Sequence, residues 1–335
     1  LGKSIIIKKL ILIVLLLSVF SCLKNKVIKN KNIYKKSIDS FESVDINGLK
    51  QWILIRSNDI NKPILLYLHG GPGHSVIPFA HKATDKLLDH FIVVHWDQRG
   101  TGLSYSENIP DNTMNFDQFI DDTYQVVRYL INRFNKEKIY LLGHSWGSAL
   151  GIMTINKYPD LFYKYIGVGQ VINSKKQEEI SKKWLINKIE NEGTEQEINY
   201  LKNIWYADRG LLFKYGGIIH NLNREEIKNI RNCSPYFKEK YTDELFDKGL
   251  RLSLKNMYKE ISQINFIKNT PKLKIPVYFF LGKYDYLTPT KLVLDYYAVL
   301  DVPYKEIIWF QKSGHRCDIE EPILFQEMIV KKLLN

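Results

Sequence analysis

The sequence predicts an α/β fold: a mostly parallel central sheet, helices on both faces, and a helical insertion placed as a lid. Short apolar runs, such as residues 139–142 and 277–281, alternate with segments whose apolar residues follow a helical period. Strands and helices in alternation bury both faces of a parallel sheet. The alternation stops between Val171 and about Asn269, where Lys and Glu interleave with Ile, Leu, Trp and Tyr, and proline occurs once, at Pro235. At one strand-to-helix junction stands Gly143-His144-Ser145-Trp146-Gly147, the pattern of a serine lifted on a sharp turn. A chain of 335 residues, 45% hydrophobic and 25% charged, can bury one large core of this kind and still carry the insertion.

In chain order, residues 40–45 and 50–56 flank Asn47-Gly48 and read as a hairpin, because Asn-Gly favours the turn that matches strand twist. Residues 63–68 form the third strand, residues around 82–89 are expected as helix, and residues 91–95 form the fourth strand. From Phe116 to Phe134 the apolar positions 116, 119, 120, 126, 127, 130, 131 and 134 keep a helical period, with Asn115 as cap. Residues 139–142 are the strand before Ser145, a helix opens at Ser148, and residues 164–169 add a strand. After the insertion come a strand at 277–281, a helix near 288–300, a strand at 305–310 and a final helix at about 321–334. The expected organisation is a core made by residues 39–170 and 270–335, with residues 171–269 as the lid.

The net charge of +12 would suggest nucleic acid if it lay in the folded part. Nine of those charges are Lys3, Lys8, Lys9, Lys24, Lys26, Lys29, Lys31, Lys35 and Lys36, and no acid or arginine stands among residues 1–36. The rest of the chain therefore carries only +3, and nucleic acid is not an expected partner. Lys3 and Lys8-Lys9 precede an apolar stretch from Leu10 to Phe20, short for a bilayer span and suited to export. Val19-Phe20-Ser21-Cys22 resembles a relaxed bacterial lipobox. Residues 1–21 are thus expected to be a lipoprotein-type signal peptide, Cys22 the lipidated residue and residues 22–38 a Lys/Asn-rich tether. The protein is expected to be exported and held to the cell-envelope membrane by its N-terminal lipid. Cys233 and Cys317 imply no disulfide framework and stand at no metal-ligand spacing.

A serine hydroxyl is a poor nucleophile at neutral pH and needs a base, normally a histidine oriented by a carboxylate. His315 lies in Ser313-Gly314-His315-Arg316, after the last expected strand. Ligands of open α/β sheets bind outside the carboxyl ends of the strands, so His315 is the candidate base. Asp285 follows another strand directly, in Gly282-Lys283-Tyr284-Asp285, and is the candidate acid. The order Ser145, Asp285, His315 is the one a strand-turn-helix nucleophile demands; Asp97 is the second choice, but it precedes the serine. His144 reads as a packing or hydrogen-bonding residue and His69 as a brace for the loop after it. His74, His81, His90, His95 and His220 read as surface or satisfied core side chains. The tetrahedral intermediate needs two backbone donors. Trp146 supplies one by position, and the other comes from His69-Gly70-Gly71-Pro72-Gly73, where glycines let amides approach an oxygen. No metal and no organic cofactor is expected, because this chemistry moves no electrons and needs no Lewis acid.

Three segments now make the chain resemble the α/β-hydrolase superfamily and, within it, the proline iminopeptidase-like branch of serine peptidases. They are His69-Gly70-Gly71-Pro72-Gly73, Asp97-Gln98-Arg99-Gly100-Thr101-Gly102-Leu103-Ser104 and Gly143-His144-Ser145-Trp146-Gly147-Ser148, supported by the segments around Asp285 and His315. The resemblance covers roughly residues 45–333 and is weakest in the lid. It implies that Gly71 and Trp146 form the oxyanion hole and that residues 97–104 are a structural loop beside the site. Members of that branch recognise a free α-amino group with acids from the lid or beside the triad acid. Here the residue after Asp285 is Tyr286, and Glu178, Glu179, Glu190, Glu192, Glu195 and Glu197 read as solvated helix faces.

The expected activity is that of a serine hydrolase acting through an acyl-enzyme on a small peptide or ester. The first expectation is an aminopeptidase of proline iminopeptidase type, releasing small N-terminal residues. The alternative is a carboxylesterase or lipase-like hydrolase, favoured by Trp184, Trp205, Tyr206, Leu211, Leu212 and Phe213 in the lid. A third possibility, of another class, is a cell-surface binding module that keeps the fold without turnover.

Overall fold

The computed structural model describes residues 36–237 and 241–334; the expected signal peptide, Cys22 and residues 22–35 of the expected tether lie outside them. The strands are β1 (Ile38–Ile46), β2 (Leu49–Ser57), β3 (Ile64–Leu68), β4 (Ile92–Trp96), β5 (Ile139–His144), β6 (Phe162–Val168), β7 (Val277–Gly282) and β8 (Lys305–Phe310). They form one sheet in the order β1-β2-β4-β3-β5-β6-β7-β8. β1 pairs antiparallel with β2, and β2 with β4; every later pairing is parallel. Asn47 and Gly48 both have positive φ, 51° and 77°, as a type I′ hairpin turn requires. β1 opens at Ile38, one residue inside the expected tether.

The continuous apolar runs of the central strands follow from burial on both faces. Along β3, Ile64, Leu66 and Leu68 face one core and Leu65 and Tyr67 the other, the two-residue alternation of a pleated strand. The first core is closed by α1 (Phe116–Phe134) and α2 (Trp146–Lys157), through Phe119, Val126, Val127, Leu130, Ala149, Leu150 and Ile152. Asn115 Oδ1 accepts from Gln118 N at 2.9 Å and so starts α1. The stretch expected as helix around residues 82–89 is instead two short pieces, Ala80–Ala83 and a tighter 3₁₀ turn at Asp85–Asp89. Thr84 divides them: its φ is −141° and its Oγ1 donates to the Ala80 carbonyl at 2.8 Å, a hydroxyl back-bond that competes with helix continuation.

Between β6 and β7 the chain forms α3 (Ser174–Glu192), α4 (Glu195–Asn203), α5 (Arg209–Lys214), α6 (Arg224–Asn232) and α7 (Asp243–Ser262). Asn173, Thr194, Asp208, Asn223 and Thr242 each accept a backbone N–H at a helix start, which is why so polar a stretch is helical. Leu185, Ile189, Leu201, Ala207 and Leu212 give this insertion a small core of its own. Among the described residues no helix is long and apolar enough to cross a membrane. After the insertion, α8 (Thr290–Val299) packs Leu292, Val293 and Tyr296 into the first core, and α9 (Pro322–Leu334) packs Phe325, Ile329 and Leu333 into the second.

Candidate active site

β5 runs straight into Ser145, and α2 begins at the next residue. Ser145 has φ 56° and ψ −121°, a region that non-glycine residues enter only when their surroundings hold them there. Ser145 N donates to Val168 O at 2.9 Å, and the Ser145 carbonyl accepts from Ser148 N at 2.8 Å and Ser148 Oγ at 2.6 Å. The two motif glycines have separate reasons. A Cβ on Gly143 would lie 2.2 Å from Gly147 O, inside the turn, and a Cβ on Gly147 would lie 2.2 Å from Leu68 O on β3.

The loop after β8 carries His315 and the loop after β7 carries Asp285. His315 Nδ1 lies 2.8 Å from Asp285 Oδ2, with both side chains buried. Asp285 Oδ1 also accepts from Leu287 N at 3.0 Å and Thr288 N at 2.8 Å, and Oδ2 accepts from Thr288 Oγ1 at 2.7 Å. A carboxylate with that many donors has one orientation, and it passes that orientation to the imidazole. With the Nδ1 proton directed at Asp285, Nε2 keeps its lone pair. Nε2 is buried and has no hydrogen-bond partner among the described residues. Gly169, at φ 51°, leaves room for the ring, since a Cβ there would lie 2.6 Å from His315 Cε1.

The glycine loop after β3 passes beside the serine, for a Cβ on Gly70 would lie 3.0 Å from Ser145 Cβ. Gly71 follows at φ 115°. Trp146 is the first residue of α2, so its N–H has no partner within the helix. The structure thus brings Ser145, Trp146 and the Gly70-Gly71 loop to one place, and Asp285 and His315 to hydrogen-bonding distance of each other. It sends Asp97 elsewhere. Asp97 Oδ2 accepts from Leu103 N at 3.0 Å and from Tyr241 Oη at 2.6 Å, and burial pushes its carboxyl up to about 6. His144 Nε2 lies 3.0 Å from the His315 carbonyl; burial and the neighbouring His315 hold its pKa well below the ordinary range, so it braces the loop as a neutral ring.

Two polar residues of this region escaped the sequence reading. Thr288 stands three residues after Asp285, a spacing typical of side-chain-closed turns, and could have been found that way. Glu320 gave no signal, because its partners come from distant segments: Oε1 accepts from His220 N at 2.7 Å and Asn221 N at 2.8 Å, and Oε2 accepts from Gly314 N at 2.8 Å. Among the insertion acids, Glu178 pairs with Arg209, Glu192 with Lys188 and Glu197 with Lys214. Tyr286, next to Asp285, stacks on Trp184 with ring centroids 4.1 Å apart.

A family model described as "Serine aminopeptidase, S33" matches residues 59–322, a span that includes Ser145, Asp285 and His315. In sequence the chain is similar to the probable aminopeptidase YbaC of Bacillus subtilis (strain 168), 35% identical over 314 residues that cover 87% of this chain and 95% of that protein. It is also similar to the proline iminopeptidase of Saccharolobus solfataricus, 26% identical over 281 residues, 79% of this chain and 83% of that one. Among solved structures, the proline iminopeptidase of Mycobacterium smegmatis superposes with a TM-score of 0.67 at 17% identity, covering 88% of this chain and 98% of that one. At that identity the likeness concerns the α/β-hydrolase fold.

Proposed function

This chain belongs to the serine aminopeptidase S33 family of α/β-hydrolases, and from that premise we propose that it hydrolyses acyl bonds through an acyl-enzyme on Ser145. His315 Nε2 takes the Ser145 Oγ proton as the hydroxyl attacks the carbonyl carbon. The oxyanion rests on the Gly71 and Trp146 amides. Asp285 holds the imidazole in the required tautomer and stabilises the imidazolium, which then gives its proton to the leaving amine. A water molecule, deprotonated by the same nitrogen, attacks the acyl carbon, and the imidazolium returns that proton to Ser145 Oγ as the acid leaves. The single observation that carries this reading is the His315 imidazole, bound to Asp285 through Nδ1 at 2.8 Å while buried Nε2 finds no partner among the described residues.

For the substrate we propose a peptide with a small N-terminal residue such as proline; the name of the 35% identical relative supports an aminopeptidase, and the preference for proline draws only on the name of the 26% identical one. The ester alternative is favoured by one feature, the Trp184–Tyr286 stack standing beside the triad acid where an ammonium group would call for a carboxylate. Hydrolysis of a prolyl-arylamide, compared with that of a short acyl ester, separates the two. Turnover of the arylamide is expected, and turnover of the ester alone would refute the aminopeptidase reading. We further propose export and lipidation at Cys22, for which loss of fatty-acid labelling in Cys22→Ala is the expected outcome and unchanged labelling the contradicting one.

A further inference from the structure

Gln98, two residues after β4, is fully buried and touches both segments proposed to supply the oxyanion donors. Its backbone N–H donates to His69 Nε2 at 3.1 Å, its Nε2 donates to the His69 carbonyl at 3.1 Å, and its Oε1 accepts from Trp146 Nε1 at 3.0 Å. The first bond selects a tautomer. With Nε2 accepting, the His69 ring proton sits on Nδ1, and Nδ1 lies 2.8 Å from the Gly70 carbonyl. The same carbonyl accepts from His74 N at 3.3 Å. The Gly70–Gly71 peptide is trans, so fixing its carbonyl toward His69 turns the Gly71 N–H the opposite way. Burial pulls the His69 pKa down to about 3, so the ring stays neutral and the tautomer persists.

We propose that Gln98 is a positioning residue of the oxyanion hole, holding the Gly71 and Trp146 amides at a fixed separation by tying His69 to the Trp146 indole. The residue type follows from the task. A planar amide offers a donor to one carbonyl and an acceptor to one indole at once. Glutamate would set a carboxylate against the His69 carbonyl, and methionine would make neither bond. Trp146 is itself wedged against Phe116 and Phe119, with ring centroids 5.3 and 5.7 Å away, so a tie to its indole fixes the start of α2. The proposal rests on the Ser145 reading above, and its test separates the two.

In the full chain, Gln98→Met is compared with wild type for hydrolysis kinetics and for the rate of inactivation by a fluorophosphonate. Donors displaced from the developing oxyanion lower kcat more than they raise KM. The expectation is a kcat and an inactivation rate about 10- to 100-fold lower, with KM changed less than about threefold, a fraction of the loss from deleting a donor outright. Trp146→Phe, which breaks the same tie from the other end, should show a similar loss, and the double variant should be little worse than either single one. If wild type is labelled on Ser145 and the folded Gln98→Met and Trp146→Phe variants react at its rate, the positioning role is overturned. Losses that multiply in the double variant, or that fall on KM and kcat alike, overturn it too. A wild type that takes no label on Ser145 removes the reading beneath it.

Discussion

Ser145 is held in a backbone conformation that costs on the order of 1–3 kcal/mol, and the bonds from Ser145 N to Val168 and from Ser148 to the Ser145 carbonyl keep it there. The same tightness decides what neighbouring glycines tolerate. Gly147→Ala forces a Cβ to 2.2 Å from a β3 backbone oxygen, whereas Gly48→Ala meets open space and only the strain of φ 77°. Thermal unfolding should therefore show Gly48→Ala losing about 1–2 kcal/mol and Gly147→Ala losing clearly more. Asp285→Asn keeps the shape of the site but upsets the tautomer of His315, and kcat should fall by about 10⁴-fold with the fold intact. The pairing of His315 with Asp285 and the turn at Ser145 were legible in the sequence because each of the three residues stands on the strand end or in the loop that follows a strand. Gln98 was not, since its task depends on His69 and Trp146, which stand 29 and 48 positions away.

At the level of elements, the insertion is joined to the core by buried polar contacts as well as by packing. Tyr241, from the insertion, donates to Asp97 on the core. Burial raises the Asp97 carboxyl from 3.8 to about 6. A carboxyl whose folded pKa is raised binds its proton more tightly in the folded state, so its contribution is full below about 4 and is lost as the pH climbs through about 6. Stability of wild type relative to Asp97→Asn should decline over that window, by on the order of 3 kcal/mol, and level off above it. Equilibrium unfolding at a series of pH values checks this, and a difference independent of pH would contradict it. Element boundaries were legible where chemistry marks them: Asn115 before α1 and Asn47-Gly48 in the hairpin. The break at Thr84 was hidden, because the hydroxyl that makes it is set by local backbone geometry and not by hydrophobic spacing.

At the scale of the whole molecule, parallel strands place the segments that carry Ser145, Asp285 and His315 after their carboxyl ends, and the insertion is stitched to two of them. His315 N donates to Ile218 O at 2.6 Å, Tyr286 N donates to Gly217 O at 2.9 Å, and Glu320 binds His220, Asn221 and Gly314 together. Glu320→Ala should loosen this seam. Faster limited proteolysis around residues 216–221 and a several-fold lower kcat are the expected effects, and wild-type behaviour in both would show the seam to be held without it. The mostly parallel sheet and the presence of an insertion were legible from alternation and its interruption, whereas the strand order came only with the structure. The seam was not, because no periodicity or motif reports contacts between segments separated by 100 positions. The function proposed above requires covalent chemistry at one oxygen atom, Ser145 Oγ. Mixing the enzyme with an activated acyl ester, quenching in acid within the first turnover and mapping the modified peptide by mass spectrometry tests that chemistry most directly. One acyl group on Ser145, absent from Ser145→Ala and forming far more slowly in His315→Ala than in wild type, is the predicted result; turnover with no acyl group on Ser145, or with the group on another residue, would contradict it.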